Sequence, residues 1–178
     1  YVGKPILQVR WLMHHNPAET GFMKSYREQT MKSGGRDTLR QRFVPLDSMS
    51  VPLRQAVLAA EDDGFYYHPG FDIEAMLGAI EYNRGKGQVL RGASTITQQL
   101  AKNLFLGTER SLWRKAREAV LATKLERALS KRRILALYLN VAEWGEGVFG
   151  AEAAARARFG VGAADLSTAQ AALLAAML

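Results

Sequence analysis

Helix start signals recur along the chain from residue 50 onward, and they constrain the fold more than any other feature. Each is a serine or aspartate, whose side chain can accept a hydrogen bond from a free backbone N–H at the start of a helix. Each is followed by apolar residues at three- and four-residue spacing. The candidates are Ser50, Asp72, Ser94, Ser111, Ser130 and Ser167. No alternation of apolar and polar residues indicates a β-strand, so the pattern predicts an all-α domain.

The organisation of the chain changes near residue 45. Residues 14–45 are polar, basic and weakly periodic, which is typical of a partly helical arm or a mobile segment. We therefore expect an arm or linker over residues 1–44 and a folded domain over residues 45–178. No stretch is apolar for long enough to span a bilayer, and the chain starts at Tyr1, so we expect a membrane anchor upstream.

Charge and composition limit the function. Lysine and arginine number 24 against 17 acidic residues, a net charge of +7, which favours an anionic partner such as nucleic acid, a phospholipid surface or a phosphorylated substrate. The chain has no cysteine, which excludes disulfides and thiolate metal sites. The histidines at positions 14, 15 and 68 are too scattered to predict a metal site.

Three carboxylates, Glu61, Asp62 and Asp63, end an apolar run in the stretch "AAEDDGFYYHPGFD". Two interpretations are open. The acids are either a solvated helix end or contain a catalytic acid or base at the rim of a cleft.

Polar side chains spaced four apart follow Ser94 in "TITQQLAKNLFL". The pairs Gln98 with Lys102 and Gln99 with Asn103 are expected on the helix surface, where they can bind sugar hydroxyls or a phosphate or simply be solvated. Backbone N–H groups at the start of this helix add an anion site.

A single acid, Glu118, lies among cations in the next helix. The cations are Arg110, Arg114, Lys115 and Arg117. Because this exceeds what a surface ion pair needs, a pocket for a diphosphate is favoured. A basic helix lying on acidic lipid is the alternative.

Five motifs resemble those of the peptidoglycan glycosyltransferases, in the same order along residues 43–178. They are "EDDGFYYHPGFD", "GASTITQQLAKNLFL", "RKAREAVLATKLE", "KRRILALYLNVAEWGEGVFGAEAAARARFG" and "LSTAQAALLAAML". "EWGEGVFG" is most similar to the monofunctional biosynthetic branch, although a bifunctional protein reduced to this domain fits as well. Gln170 and Arg158 depart from the family pattern, where a glutamate and an aromatic residue are usual.

The resemblance implies a lysozyme-like helical fold with a larger head lobe and a smaller membrane-proximal jaw lobe. Residues 1–44 would belong partly to the jaw, and residues 45–178 would form the glycosyltransferase domain. It implies that Glu61 is the general base that deprotonates the 4-hydroxyl of lipid II. The growing glycan is the donor, and its undecaprenyl diphosphate leaves with inversion. Glu118 becomes the second essential carboxylate, which holds the diphosphate directly or through Mg²⁺ or Mn²⁺.

The other site residues carried over from the motifs fall into two groups. Residues expected to bind the donor and its diphosphate are Ser94, Thr95, Gln98, Gln99, Lys102, Asn103, Arg110, Arg114, Lys115 and Arg117. Residues expected to shape the loop after Glu61 are Asp62, Phe65, His68 and Gly70. Tyr138 and Asn140 are interpreted as packing and helix-end residues.

The implied partners are lipid II, the glycan strand, the membrane surface, inhibitors of the moenomycin type and other cell-wall synthesis proteins. The implied location is the outer, periplasmic face of the bacterial inner membrane. Apolar residues of the segment "FDIEAML", including Ile73 and Met76, are expected to dock there. Two alternatives remain: a lysozyme-like hydrolase or lytic transglycosylase, and a non-catalytic basic module for membrane or nucleic acid. The separation of aromatic residues from cations disfavours nucleic acid.

Overall fold

The computed structural model describes residues 9–86, 94–107 and 111–178. Its α-helices are α1 (Gly21–Lys32), α2 (Val51–Glu61), α3 (Ile73–Lys86), α4 (Ile96–Phe105), α5 (Leu112–Ala128), α6 (Lys131–Val141), α7 (Ala151–Phe159) and α8 (Thr168–Ala175). A 3-10 helix spans Leu46–Ser48 and a short helical segment covers residues 9–11. The predicted all-α, lysozyme-like fold is confirmed.

Two short strands, β1 (Arg40–Gln41) and β2 (Val148–Phe149), are the exception to the all-helical prediction. They pair in parallel, with Arg40 opposite Val148 and Gln41 opposite Phe149. The expectation that the chain has no strand is therefore wrong at these four residues. Two residues per strand are too few to show an alternation, and the partners are distant in sequence, so no local pattern reveals the pairing.

Most of the predicted helix caps are confirmed. The side chains of Ser50, Ser111, Ser130 and Ser167 each accept a hydrogen bond from a backbone N–H in the first turn of their helix. The prediction is wrong by one residue at α4, where Thr95 and not Ser94 is the N-cap. Thr95 and Gln98 form a reciprocal capping box there, which satisfies two backbone donors, so the helix begins one residue later.

Helix α4 lies at the centre of the domain, against α1, α5 and α6, while α2 packs against α8. The apolar stripe of α4, Ile96 and Leu100, is fully buried. The core continues through α6 and around Trp144 and Phe149. This arrangement brings the end of α2, the polar face of α4 and the first turns of α5 to one side of the domain.

Residues 9–44 contact this core. Val9, Leu12 and Met23 are buried in it. The guanidinium of Arg133 in α6 donates hydrogen bonds to the carbonyl oxygens of Leu12 and His15 and to the side-chain oxygen of Asn16. Asn140 pairs with both backbone groups of Val44. Within the described ranges, no helix combines the length and the hydropathy needed to cross a membrane.

Candidate active site

Glu61 is the last residue of α2 and is half-buried. Its Oε2 accepts a 2.6 Å hydrogen bond from Nε2 of Gln99, on the facing helix α4. The other end of the Gln99 amide accepts a 2.9 Å hydrogen bond from the hydroxyl of Tyr138 in α6. Among the described residues, Glu61 forms no ion pair at contact distance, and the neutral Gln99 amide is its side-chain partner.

The loop after Glu61 is fixed by the buried carboxylate of Asp62. Oδ1 of Asp62 lies 2.8 Å from Nε2 of His68, and Oδ2 accepts a 2.9 Å hydrogen bond from the backbone N–H of Ile96. The backbone N–H of Gly70 points to Nδ1 of His68, so Nδ1 is the acceptor and Nε2 carries the proton donated to Asp62. This network ties the loop to the start of α4.

Phe65 and Gly70 complete the loop. Phe65 is fully buried, and the ammonium of Lys131 lies 4.5 Å from the centre of its ring, a cation–π contact. Gly70 adopts φ +95°, and a Cβ there would lie 2.8 Å from Cγ of Glu126. Glycine suits this position because it adopts a positive φ without strain and has no Cβ to collide with Glu126. The four residues predicted to shape the loop therefore lie together.

Glu118 faces the same side of the domain from α5 and is 3% exposed. Its Oε2 accepts a 2.9 Å hydrogen bond from Arg114, and its Oε1 lies 2.5 Å from Nζ of Lys115. Residues three and four positions apart share one face of a helix, which is why both cations reach the carboxylate. Lys115 also donates a 3.1 Å hydrogen bond to the hydroxyl of Ser94.

Lys102 of α4 links the two carboxylates electrostatically. Burial lowers the pKa of its ammonium, and Glu118 opposes this, while Arg114 and Lys115 add to the lowering. The charge of Glu61 also acts on it. The ammonium lies 5.8 Å from the centre of the Phe22 ring. The pKa of Lys102 therefore depends on the charges of both acids and of two further cations.

The remaining predicted residues are placed differently. Thr95, Gln98 and Asn103 are buried, with Thr95 and Gln98 engaged in the helix cap, so the expectation of a solvent-facing surface is wrong for Gln98 and Asn103. Their faces are covered by the helices that pack around α4. Arg117 is exposed, and the described structure gives it no ion pair with Glu118. Arg110 lies outside the described residues.

Two residues have contacts that the sequence does not indicate. Tyr138, interpreted as packing, reaches Gln99 as well as filling the core. Glu126 accepts hydrogen bonds from Thr97 and Lys131 and supports the underside of the loop at Gly70. No local motif marks these contacts, because each joins side chains from different helices.

The donor chemistry around Glu118 does not fit a divalent cation. Both of its oxygens are already bound by cationic side chains, and a metal ion there would lie beside two positive charges. Asp62, His68 and Asp72 also lie close together. Asp62 and His68, however, are hydrogen-bonded to each other, and the three side chains accept hydrogen bonds from the backbone N–H groups of Ile96, Gly70 and Ala75.

A cavity of about 580 Å³ is lined in part by Phe22, whose ring centre lies 5.8 Å from the Lys102 ammonium. Tyr26, Gln29, Glu143 and Glu146 contribute to its lining. Burial raises the pKa of Glu143, a hydrogen bond from the Gly147 N–H opposes this, and the nearby Glu146 adds to the rise. Aromatic, amide and carboxylate groups of this kind suit a polar ligand that carries many hydroxyl groups.

Comparison with known proteins places these observations in context. A family model described as Transglycosylase matches residues 27–178. A biosynthetic peptidoglycan transglycosylase of Azoarcus sp. (strain BH72) is 51% identical over 171 residues, which cover 96% of this chain and 74% of that protein. Proteins of the same name from Methylobacillus flagellatus (47% over 172 residues, covering 97% and 75%) and Chromobacterium violaceum (48% over 164 residues, covering 92% and 72%) are also similar.

Proposed function

This chain belongs to the peptidoglycan transglycosylase family, and on that premise we propose that it polymerises lipid II into glycan strands with Glu61 as general base. The observation that carries the proposal is the contrast between two carboxylates on one side of the domain. Glu61 is held by a neutral amide, whereas both oxygens of Glu118 are bound by cations. A carboxylate whose contact is a neutral amide has the surroundings of a general base, whereas a carboxylate bound by two cations has those of a group that positions charge.

In the proposed reaction, Glu61 takes the proton from the 4-hydroxyl of the acceptor lipid II. The hydroxyl oxygen forms a bond to the anomeric carbon of the donor glycan, and the bond from that carbon to the diphosphate oxygen breaks with its electron pair. Undecaprenyl diphosphate leaves, and attack from the opposite face inverts the anomeric centre. The carboxylate must therefore lie on the acceptor side of the sugar and the cations on the leaving-group side.

Charge balance supports a diphosphate site at Lys102, Arg114 and Lys115. Three cations and the single carboxylate of Glu118 leave a surplus of two positive charges, which matches the two negative charges of a diphosphate diester. The departing diphosphate gains a further negative charge as its bond breaks, so the cations stabilise the transition state more than the bound donor.

Glu118 then acts by positioning these cations. Its buried carboxylate holds Arg114 and Lys115 on one face of α5, where each long side chain would otherwise sample many conformations. We assign the sugars of the donor strand to the cavity lined by Phe22, because the ring of Phe22 lies 5.8 Å from the Lys102 ammonium. No step requires a metal ion at Glu118.

We also propose that the domain acts at the outer face of the bacterial inner membrane, because both substrates carry a lipid tail. Ile73, Leu77 and Ile80 of α3 are each at least 60% exposed and follow one another at four- and three-residue spacing. An apolar stripe of this kind on a basic protein favours binding at a lipid surface. Phe71 is partly buried and packed against the core, so the stripe begins at Ile73.

The test is Glu61→Gln, assayed with lipid II and analysed by chromatography for polymeric glycan. Glutamine keeps the size of the side chain but cannot act as a base, so turnover should fall by about 10²–10⁴-fold. Asp63→Asn is the matched control, because Asp63 is an exposed acid only two residues away. Binding of a moenomycin-type phosphoglycolipid should persist in both variants. Near-normal polymerisation by Glu61→Gln would exclude the base role, and release of muropeptides from cell wall without polymer would indicate a hydrolase.

A further inference from the structure

Tyr138 is connected to Glu61 through a single side chain. The tyrosine is fully buried in α6, and its hydroxyl lies 2.9 Å from Oε1 of Gln99. Nε2 of the same amide lies 2.6 Å from Oε2 of Glu61. Three helices thus contribute one residue each to a chain of hydrogen bonds that ends on the proposed base.

The direction of these hydrogen bonds follows from the chemistry of the groups. An ionised carboxylate can only accept, so the Gln99 amide must present its nitrogen to Glu61. Its oxygen then faces the tyrosine and requires a donor. Burial raises the pKa of Tyr138, and the negative charges of Glu61 and Asp62 raise it further, so the phenol keeps its proton and can donate.

We propose that Tyr138 is a positioning residue, which fixes the orientation of the Gln99 amide and through it the carboxylate of Glu61. The inference rests on the proposed function, in which Glu61 is the base. Without the hydroxyl, the amide oxygen of the half-buried Gln99 loses its donor from the protein, and rotation of the amide by half a turn brings that oxygen against Glu61. Two acceptors facing each other repel, and the carboxylate turns away from the acceptor hydroxyl.

A packing role alone does not account for a tyrosine at this position. The neighbours of Tyr138 in α6 include Leu135, Leu137 and Leu139, all of them buried. Phenylalanine would fill the same space without the cost of burying a hydroxyl group. The buried hydroxyl has a hydrogen-bond partner, Gln99, and that residue is itself hydrogen-bonded to Glu61.

The experiment is a double-mutant cycle on lipid II polymerisation, with Tyr138→Phe, Gln99→Leu and the double variant. Tyr138→Phe should lower kcat about tenfold, the effect of one hydrogen bond of ordinary net strength, with KM unchanged. If Tyr138 acts through Gln99, adding Tyr138→Phe to Gln99→Leu should change kcat by less than about twofold. Tyr67→Phe is the control, since Tyr67 is 92% exposed. Phenylalanine keeps the ring that the core packs around, and a melting curve for each variant verifies folding.

The outcomes separate this inference from the proposed function. If the Glu61→Gln variant is active, Glu61 is not the base, and the premise of this inference fails. If Glu61→Gln is inactive, an unchanged kcat in Tyr138→Phe overturns the inference. The inference is equally overturned if the Tyr138→Phe and Gln99→Leu losses multiply in the double variant, because a purely structural contribution of Tyr138 acts independently of Gln99.

Discussion

The buried carboxylate of Asp62 accepts a 2.9 Å hydrogen bond from the backbone N–H of Ile96, so the residue that follows Glu61 is attached to the first residue of α4. Gln99 lies one turn further along α4. The bond therefore sets the position of α2 relative to α4, and with it the distance between the Glu61 carboxylate and the Gln99 amide.

Removing this attachment should cost stability and activity together. Asp62→Ala leaves the Ile96 N–H and the His68 N–H without their acceptor in a buried site, and we expect a loss of about 1–3 kcal/mol in the free energy of unfolding for each orphaned group. Urea unfolding measures it. Asp63→Ala, at the exposed neighbouring acid, is the control and should stay within about 0.5 kcal/mol of the parent. An Asp62→Ala protein as stable as the control would contradict the role of this network.

The cations of α5 should contribute to ligand binding according to their contacts. Arg114→Ala and Lys115→Ala should each weaken the binding of a moenomycin-type phosphoglycolipid about tenfold or more, because each removes a charge-assisted hydrogen bond. Isothermal titration calorimetry measures the affinity. Arg127→Ala removes an exposed arginine from the last turn of the same helix and serves as control. Equal affinities for all three variants would mean that the diphosphate lies elsewhere.

Ligand binding should also depend on the protonation of Lys102. Burial lowers the pKa of Lys102 from its ordinary 10.5, with Glu118 opposing. A diphosphate favours the charged lysine, so binding takes up a proton once the pH exceeds the lowered pKa. Affinity then falls by up to about tenfold per pH unit, and the fall begins below pH 10.5.

The measurement is calorimetric titration of a soluble diphosphate diester, whose own charge is constant from pH 7 to 10.5. Lys102→Met should bind more weakly at pH 7 and show a flatter pH dependence over the same range. A parent protein whose affinity does not change up to pH 10.5 would rule out Lys102 as a ligand contact.

Gly150 should be intolerant of any side chain. Its φ is +84°, and a Cβ at this position would lie 2.6 Å from the backbone oxygen of Asn140. Gly150→Ala should therefore cost about 3 kcal/mol or more, since a backbone atom cannot move aside cheaply. Gly160→Ala has a similar φ, +71°, but open space around the Cβ, and should cost only about 1 kcal/mol. Thermal unfolding of the two variants tests the difference, and equal losses would show that the contact with Asn140 relaxes.

The α3 stripe should mediate vesicle binding. Leu77→Asp together with Ile80→Asp introduces two charges at exposed apolar positions, and co-sedimentation with anionic vesicles should fall at least tenfold while helicity is unchanged. Leu173→Asp in α8 is matched in exposure, at 63% against 62% for Leu77, and should bind as the parent does. If the Leu173 variant loses vesicle binding, or the α3 variant keeps it, the α3 stripe is not the membrane-binding surface.

The sequence was sufficient for the features that depend on local chemistry. Helix starts are set by one side chain and the N–H groups of the next turn, so Ser50, Ser111, Ser130 and Ser167 could be identified without the fold. The pairing of Glu118 with Arg114 and Lys115 follows from their spacing in one helix. The α4 cap was missed by one residue because threonine, like serine, can accept the capping hydrogen bond, and Thr95 directly follows Ser94.

Features that join distant segments could not be predicted in this way. The Tyr138 to Gln99 contact, the support of Gly70 by Glu126 and the β1–β2 pair all depend on how the helices are arranged in three dimensions. The burial of Gln98 and Asn103 was missed for the same reason. A helix surrounded on several sides buries polar side chains as well as its apolar stripe, and periodicity alone shows only the stripe.

The hydrogen bond from Gln41 to the carbonyl oxygen of Asn140 joins residues 99 positions apart. Closing a loop of that length costs chain entropy before the contact stabilises anything, whereas α4, α5 and α6 are neighbours in sequence and in space. In refolding, the central helices should therefore gain protection from hydrogen exchange first, and the backbone amides of residues 40–44 last. At equilibrium residues 40–44 should open most readily, by sub-global unfolding that leaves the Glu61 and Glu118 carboxylates in place.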